Sequence, residues 1–336
     1  MNDHPKRVVE VENLCKVFPG PKRGPKNLDT YALRGVSLSI NAAEIVCLVG
    51  ASGSGKTTLG KMLMGFESVT RGRITFAGVG KITSGQRIAS RKLVRHRQMI
   101  FQNPETSLNS FYSVASIIGR TLAVAGIIQS IKTGSSSIRA ILEQVGLHPA
   151  EEYLEKYPHE LSGGQQQRVA IARSMALKPA LLIADEPVSM LDVSLRVGIL
   201  QLLMQARERD GSALLYITHD LGTAYFIGDR IMVMKSGVIV EEGTTDEIFQ
   251  HPQHPYTLAL MRAQPSFSKR IRVADRQVPV VAGTGNEALT TTVADISGCP
   301  FRSECPHAFE SCNELPAWTD VAPSHRVRCH GIKRTD

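Results

Sequence analysis

The sequence predicts an α/β fold in which a parallel β-sheet carries antiparallel strands at its flank. Short runs rich in Val, Ile and Leu alternate with helical patterns, at residues 36–40, 45–49, 181–184 and 214–218. Such alternation is typical of a parallel sheet with helical crossovers. The runs at 231–234 and 238–241 are joined by only three residues, which indicates a hairpin. Together with the run at 74–77, this hairpin predicts an antiparallel flank beside the parallel core.

A helical subdomain is predicted over about residues 103–178. Strand patterning nearly vanishes between residues 104 and 177, and the spacing of apolar residues is helical at 138–145 and 165–177. We therefore expect a helical insertion in the α/β domain.

The end of the chain differs in composition from the rest. It is rich in proline after His251 and holds four of the six cysteines. A change of this kind is typical of a domain boundary. We expect one domain over residues 1–262 and a small cysteine-rich C-terminal appendage over residues 263–336.

The composition is that of a soluble globular protein, with 42% hydrophobic and 21% charged residues. No apolar run approaches the roughly 18 to 20 residues that cross a bilayer, and the segment MNDHPKRVVEVEN lacks the apolar core of a signal peptide. We therefore expect a cytoplasmic chain that does not span a membrane. The net charge of +8 fits nucleic acid, an anionic membrane surface or a phosphate-rich ligand. The 5% aromatic content argues against base-stacking platforms.

Basic residues cluster without an intervening acid between Ser84 and Gln98. They are Arg87, Arg91, Lys92, Arg95 and Arg97. A solvated helix face is one interpretation, and contact with a partner or a lipid headgroup is the other.

A glycine-rich loop follows the run at residues 45–49. Residues 50–58, GASGSGKTT, match the pattern G-x-x-x-x-G-K-[ST], and a helix-like segment follows them. Glycines let backbone N–H groups turn inward around phosphates, while Lys56 reaches the β and γ oxygens of ATP and Thr57 reaches Mg²⁺. The candidate nucleotide-binding residues here are Gly50, Ser52, Gly53, Ser54, Gly55, Lys56, Thr57 and Thr58.

Polar side chains follow two other strands of the predicted sheet. Asp185 and Glu186 end the run at 181–184, and His219 ends the run at 214–218. Residues at the carboxyl edge of an open α/β sheet face the ligand crevice. Asp185 is the candidate Mg²⁺ ligand. Glu186 is the candidate catalytic base, because a carboxylate shielded from solvent can have a raised pKa.

Further motifs resemble those of ABC transporter nucleotide-binding domains. LSGGQ at residues 161–165 is similar to the family's signature, Phe101-Gln102 to its Q-loop, residues 189–192 to its D-loop, and His219 to its switch histidine. The motifs occur in the family's order over roughly residues 10–250. The resemblance implies a P-loop NTPase fold and ATP hydrolysis.

The resemblance also implies that two subunits share each ATP site. Gln102 is then expected to contact the Mg²⁺ shell and to sense the membrane partner. The signature is expected to bind the γ-phosphate of ATP held by the opposite subunit, and a glycine-rich turn opening a helix is an anion site. Phe18 is expected to stack on adenine, with Tyr31 as the alternative. The implied residues that the partner's ATP would meet are Ser162, Gly163, Gly164, Gln165 and Asp192.

Two segments resemble the oligopeptide and dipeptide importer branch of this family. They are QHPQHPYT at residues 250–257 and the cysteine-rich tail, while residues 186–194 favour the F-type member of the paired D and F subunits. The resemblance implies an identical or paralogous ATPase partner, two integral-membrane permease subunits and an extracytoplasmic solute-binding protein. It places the chain peripherally on the cytoplasmic face of the inner membrane, with no nucleic-acid partner.

The solute stays open at this point, since peptides, nickel complexes, opines and glutathione are all transported by such systems. A different class would be a soluble ABC-type ATPase acting on DNA or ribosomes. The single phosphate loop and the lack of sustained heptads count against that class.

Four cysteines in the tail have the spacing C-x5-C-x6-C-x16-C, namely Cys299, Cys305, Cys312 and Cys329. Four thiolates suffice for an iron–sulfur cluster, and disulfides are not expected in a cytosolic chain. Because relatives with this tail bind a [4Fe–4S] cluster, the resemblance predicts one here. Zinc, helped by His307, His325 or His330, and free thiols are the alternatives. Cys47 is interpreted as core, and Cys15 lacks a partner.

Overall fold

The computed structural model describes residues 6–20, 29–84, 91–189, 191–264 and 297–332. Twelve strands are found in these residues: β1 Arg7–Phe18, β2 Thr30–Asn41, β3 Ile45–Val49, β4 Arg71–Phe76, β5 Gly80–Thr83, β6 Arg97–Ile100, β7 Leu181–Asp185, β8 Ala213–Thr218, β9 Arg230–Lys235, β10 Val238–Thr244, β11 Thr319–Ala322 and β12 His325–Val327. They form two sheets.

The helices of the described residues are α1 Lys56–Met64, α2 Arg91–His96, α3 Pro104–Ser107, α4 Val114–Val124, α5 Ser135–Gln144, α6 Glu151–Leu154, α7 Gly163–Met175, α8 Val193–Asp210, α9 Leu221–Ile227, α10 Thr245–Gln250 and α11 Pro255–Arg262. Short 3₁₀ turns occur at Pro158–Glu160, Arg302–Glu304 and Glu310–Asn313. None of these helices combines the length and the apolar composition that a bilayer span requires.

The larger sheet has eight strands in the order β11-β12-β10-β9-β3-β8-β7-β6. The five strands from β9 to β6 are parallel, and β10, β12 and β11 are antiparallel. This confirms the predicted α/β fold with its antiparallel flank. The run at residues 74–77 does not join that flank, because β4 belongs to a second, antiparallel sheet in the order β2-β1-β4-β5.

The central strands are buried on both faces, and alternate residues serve different cores. In β3, Ile45, Cys47 and Val49 pack with the helices, while Val46 and Leu48 pack toward the second sheet. All five are fully buried. This explains why β3 is a continuous apolar run rather than an alternating one, as expected for a parallel strand covered on both faces.

Every secondary-structure element between β6 and β7 is helical, as predicted. Every residue of this segment is described, and it contains α3 to α7 with one 3₁₀ turn. Ile118 of α4 packs with Ile138 and Leu142 of α5 in the same core as the helix-facing side of the large sheet.

A separate cysteine-rich appendage is not confirmed. β12 pairs with β10, with Glu241 opposite Val327, so the tail extends the large sheet. Phe301, only 1% exposed, packs in the main core near Tyr256. Residues 265–296 lie outside the described residues, and the division at residues 262 and 263 stays a prediction.

The basic cluster is not one solvated face. Arg97 lies in β6, is buried, donates a hydrogen bond to the Leu63 carbonyl and stacks on Phe76. Arg95 is exposed on α2, and Arg87 lies outside the described residues. The interpretation as a solvated helix face is therefore wrong for Arg97.

Candidate active site

The phosphate loop connects β3 to α1 and is packed so closely that two of its glycines admit no side chain. A Cβ on Gly50 would lie 2.2 Å from the Met234 carbonyl oxygen, and one on Gly55 would lie 2.4 Å from the Ala32 carbonyl oxygen. Gly55 also has a φ of 103°, which favours glycine. The loop is thus wedged between β9 and the second sheet.

Lys56 folds back over the loop. Its ammonium group donates to the carbonyl oxygens of Gly50 and Ala51, both at 2.8 Å, and to Oγ of Ser54 at 3.3 Å. Burial lowers the pKa of Lys56, and two nearby carboxylates partly offset that effect. These oxygen atoms accept the hydrogen bonds that phosphate oxygens would accept from the ammonium group.

Asp185 and Thr57 form the pair expected at a Mg²⁺ site. Thr57 Oγ1 donates to Asp185 Oδ1 at 3.2 Å across the gap between α1 and β7. Burial raises the pKa of the Asp185 carboxyl, and the hydrogen bond from Thr57 opposes that rise. A hydroxyl and a buried carboxylate are oxygen ligands of the kind Mg²⁺ takes beside phosphates, so the pair fits the ion.

Glu186 occupies a strained backbone position directly after β7. Its φ is 46°, which is uncommon for a residue with a side chain, and its N–H donates to the Ile217 carbonyl at 2.9 Å. The carboxylate is held from two sides: Oε1 lies 2.8 Å from Nδ1 of His219, and Oε2 accepts from Nε2 of Gln102 at 3.1 Å. Strain of this kind is concentrated at functional sites.

Glu186 and His219 each stabilise the charged form of the other. The hydrogen bond from His219 lowers the pKa of Glu186, and the same contact raises the pKa of His219. The expectation that shielding would raise the pKa of Glu186 is therefore wrong for this arrangement. The imidazole outweighs desolvation, because the carboxylate is only partly buried.

A cleft of roughly 310 Å³ opens beside this pair. Glu186, His219, Arg196 and Gln264 are among its lining residues. Three of the predicted residues from three different loops, Gln102, Glu186 and His219, therefore meet at one edge of the sheet.

The signature residues form the start of α7. Ser162 caps α7, with its Oγ accepting from the Gln165 N–H at 3.4 Å and its own N–H donating to Gln165 Oε1 at 3.0 Å. Ser162 and Gly163 are exposed, and Gly164 is buried. Among the described parts of the chain, no hydrogen bond joins these residues to residues 50–58. Solvent therefore reaches Ser162 and Gly163 at the start of α7.

The remaining predicted residues sit at loop and strand ends. Asp192 is exposed at the N-cap of α8, while Ser52 and Gly53 are exposed on the phosphate loop. Phe18 ends β1, and Lys16 Nζ lies 4.7 Å from the centre of its ring. Tyr31 lies opposite Val17, one position away, so Phe18 and Tyr31 both stay candidates for adenine stacking.

The tail cysteines interact electrostatically without forming a metal centre. Burial, with smaller contributions from the other three thiols, raises the pKa of Cys299 to about 11. Burial likewise raises the pKa of Cys305 and Cys329. Within residues 297–332 and the other described ranges, no group of three or more His, Cys, Asp or Glu side chains is arranged to hold a metal ion. The predicted [4Fe–4S] cluster and the zinc alternative are not supported by this geometry.

Two contacts near the site come from residues that no motif predicts. The Ala51 N–H of the phosphate loop donates to the hydroxyl of Tyr256 at 2.9 Å. Nε2 of Gln264 donates to the carbonyl oxygen of His219 at 3.0 Å. The only local signal was the segment QHPQHPYT, which contains Tyr256 but gives no information about its long-range partner.

Comparisons with known proteins agree with this geometry. A family model for ABC transporters matches residues 33–189, and one for the C-terminal region of oligopeptide/dipeptide transporters matches residues 240–312. The second match begins inside β10, consistent with a tail that shares the large sheet.

Curated relatives match over most of their length. The oligopeptide transport ATP-binding protein OppF of Streptococcus mutans is 40% identical over 79% of this chain and 84% of its own. AppF of Bacillus subtilis, also an oligopeptide transport ATP-binding protein, is 36% identical over 96% of this chain and 97% of its own. The dipeptide transport ATP-binding protein DppF of Haemophilus influenzae is 38% identical over 91% of each chain.

Two solved structures of a bacterial ABC transporter cassette, MJ0796, share the fold. One is a dimer in a post-hydrolysis state bound to ADP and Pi, with a TM-score of 0.60 and 28% identity over 71% of this chain and 99% of its own. The other is also dimeric, with a TM-score of 0.60 and 27% identity over the same shares. With its phosphate loop, its acidic strand end and these relatives, the chain belongs to the ABC transporter family, in the branch of oligopeptide and dipeptide transport ATP-binding proteins.

Proposed function

We propose that this chain binds and hydrolyses ATP to power solute import through a peptide-type ABC transporter. The observation that carries the proposal is the Glu186 carboxylate, fixed between His219 and Gln102 and directly following Asp185, which is hydrogen-bonded to Thr57. The relatives named as oligopeptide and dipeptide transport ATP-binding proteins support the same activity.

Hydrolysis follows from what each side chain can do there. Lys56 exchanges its loop carbonyls for β- and γ-phosphate oxygens of ATP. A water molecule held by Glu186 attacks the γ-phosphorus, its proton passes to the carboxylate, and the bond to the β–γ bridging oxygen breaks. Because the hydrogen bond from His219 lowers the pKa of Glu186, we expect that contact to loosen before the carboxylate accepts a proton.

Thr57 and Asp185 would hold Mg²⁺, directly or through water. The ion, when bound, neutralises charge on the β- and γ-phosphates. Asp185 is buried at the end of β7, so a cation there offsets the cost of keeping its carboxylate ionised.

The exposed first turn of α7 supports a shared site. The helix begins with Ser162 at its N-cap and Gly163 and Gly164 after it, so its first N–H groups would form an anion site for the γ-phosphate of ATP held by a second subunit. We therefore propose a dimer with an identical or paralogous ATPase, and the solved relatives are dimeric. Asp192 and Gln165 lie on the surface that this partner would meet.

The partners beyond the dimer are two integral-membrane permeases and an extracytoplasmic solute-binding protein. This places the chain peripherally on the cytoplasmic face of the inner membrane. The names of the relatives favour peptides over nickel complexes, opines or glutathione. Affinity purification from membranes should recover permeases, and retention on nucleic acid at moderate salt without them would instead favour the soluble ATPase class.

Glu186→Gln tests the proposal directly. The amide keeps the shape of the side chain but cannot accept the proton of water, so ATP turnover should fall by at least about a hundredfold. ATP should still drive dimerisation, measured by size-exclusion chromatography with Mg²⁺ and ATP. Undiminished hydrolysis would exclude Glu186 as the base.

In Lys56→Ala the affinity for ATP itself should fall, and unchanged affinity would contradict the role of the phosphate loop.

The iron–sulfur cluster remains a separate proposal, which rests on the four tail cysteines and on the resemblance of this tail to that of relatives. Anaerobically purified protein should contain iron and sulfide in proportion to the chain. Stoichiometric zinc in colourless protein, or no metal at all, would contradict it.

A further inference from the structure

The peptide group between Gly50 and Ala51 is held from opposite sides. Its carbonyl oxygen accepts from Lys56 Nζ at 2.8 Å, and its N–H donates to the Tyr256 hydroxyl at 2.9 Å. These two bonds fix the direction of the first peptide of the phosphate loop, directly after β3 ends at Val49.

Only one of these two bonds is independent of nucleotide. The ammonium group of Lys56 is the group that phosphate oxygens attract, so its bond to the Gly50 carbonyl weakens when ATP binds. Within the described residues the one hydrogen bond of the Tyr256 hydroxyl is to the Ala51 N–H, and we expect it to persist when ATP binds. Tyr256 is therefore the partner that can hold this peptide in both states.

Tyr256 itself is firmly placed. It is fully buried on α11, and its ring centre lies 5.4 Å from that of Phe301 in the tail. Lys235 Nζ lies 5.1 Å from the ring centre and pairs with Glu304 of the tail at 2.6 Å. Burial raises the pKa of the Tyr256 hydroxyl to about 12, so it is neutral at physiological pH.

A second contact from the same segment reaches the loop after β8. Gln264 follows α11 and donates from Nε2 to the carbonyl oxygen of His219 at 3.0 Å. His219 holds the Glu186 carboxylate, so Gln264 fixes the backbone from which that imidazole projects.

We propose that Tyr256 and Gln264 are positioning residues through which α11 sets the phosphate loop for ATP binding and the His219 loop for hydrolysis. The inference rests on the proposed ATPase function and extends it to a segment outside the nucleotide-site motifs. It assigns distinct effects to the two residues: Tyr256 governs affinity for ATP, and Gln264 governs the rate of hydrolysis.

The first test is Tyr256→Phe in the full chain. Without the hydroxyl, the free loop relaxes to find another partner for the Ala51 N–H, and binding must reverse that change. The Kd for Mg²⁺-ATP, measured by titration of a fluorescent ATP analogue and by competition with ATP, should rise about tenfold. The single-turnover hydrolysis rate at saturating ATP should stay within about twofold of the wild-type rate.

Tyr216→Phe is the matched control. Tyr216 is equally buried, but its hydroxyl has no hydrogen-bond partner among the described residues. Its Kd for ATP should equal that of the wild type. A purely structural role for Tyr256 would lower the Tm and the fraction of active protein while leaving the Kd unchanged, and that result would overturn the inference.

Gln264→Leu keeps the volume of the side chain and removes the donor to His219. It should lower the single-turnover rate about fivefold and leave the Kd for ATP unchanged. An unchanged rate would remove Gln264 from the inference.

Two outcomes separate this inference from the proposed function. Wild-type protein that binds no Mg²⁺-ATP refutes the proposed function, whereas wild-type binding with an unchanged Kd in Tyr256→Phe refutes only the inference. If Tyr256→Phe does not fold, hydrogen exchange of the Ala51 backbone amide in the wild-type protein tests the Tyr256 contact instead. Protection that persists with bound nucleotide supports the Tyr256 contact, and its loss refutes it.

Discussion

At residue scale, the Glu186 and His219 pair determines how the site responds to pH. The contact lowers the pKa of the carboxyl and raises that of the imidazole. The stabilisation due to His219 is complete below its unfolded pKa and is lost as pH rises through its folded pKa. That due to Glu186 is present above its unfolded pKa and is lost as pH falls through its folded pKa. Between these limits both groups are charged and paired.

We predict that Glu186→Gln lowers the pKa of His219. The amide removes the negative charge that favours the imidazolium, so the imidazole should titrate closer to its ordinary value. An NMR titration of the His219 ring measures this shift. The same titration of wild-type protein is the reference. An unchanged His219 titration would show that Glu186 does not pair with it in solution.

Residue identities in the site follow from the sequence, whereas their contacts do not. Lys56, Asp185 and Glu186 stand in motifs whose chemistry requires those side chains, and the structure brings them to one sheet edge. The lowered pKa of Glu186 depends on a histidine 33 positions away. Tyr256 was missed because its partner Ala51 is 205 positions distant.

At element scale, the phosphate loop tolerates no Cβ at Gly50. We predict that Gly50→Ala forces the loop away from the Met234 carbonyl, which lies 2.2 Å from the position of that Cβ. The free energy of unfolding should fall by about 2 kcal/mol, and ATP binding should be lost because the loop N–H groups are displaced. Urea unfolding and ATP titration measure the two effects.

Gly78→Ala is the control for that substitution. Gly78 lies in the exposed turn between β4 and β5 at a φ of 70°, with nothing within 4 Å of a Cβ. The change should cost about 1 kcal/mol of stability through backbone strain alone and leave ATP affinity intact. Equal effects of the two substitutions on ATP binding would contradict a steric role for Gly50.

Strands were predicted correctly where burial on both faces makes the sequence continuously apolar. β3 was predicted over residues 45–49 with its observed bounds, because a strand covered on both faces is continuously apolar. β6 was missed because its four residues, RQMI, are too few for a pattern and begin with the buried Arg97. β12 was missed because its three residues owe their conformation to pairing with distant β10.

At the scale of the whole molecule, a buried hydrogen bond between two side chains joins the tail to the large sheet. Glu241 of β10 is fully buried and accepts from Nε2 of His325 at 2.7 Å, as well as from the N–H groups of Gln253 and His254. The carboxylate thus receives donors from both the tail and the start of α11. Removing one partner of a buried pair leaves the other without compensation.

We predict that His325→Ala lowers the free energy of unfolding by about 3 kcal/mol, because Glu241 loses its side-chain partner. His307→Ala, which changes an exposed residue of the same tail, should have little effect. Thermal unfolding of both variants measures the difference. Equal midpoints would show that the tail does not depend on this pair.

The order of strands in the large sheet places two parts of the chain at its opposite edges. The tail forms one edge through β11 and β12, and β6 with the Gln102 loop forms the other. At about 4.8 Å between strands, the two edges are roughly 30 Å apart, and β3 with its phosphate loop lies between them. A fluorophore pair with one dye on each edge would therefore span the nucleotide site and report any flexing of the sheet during the ATP cycle.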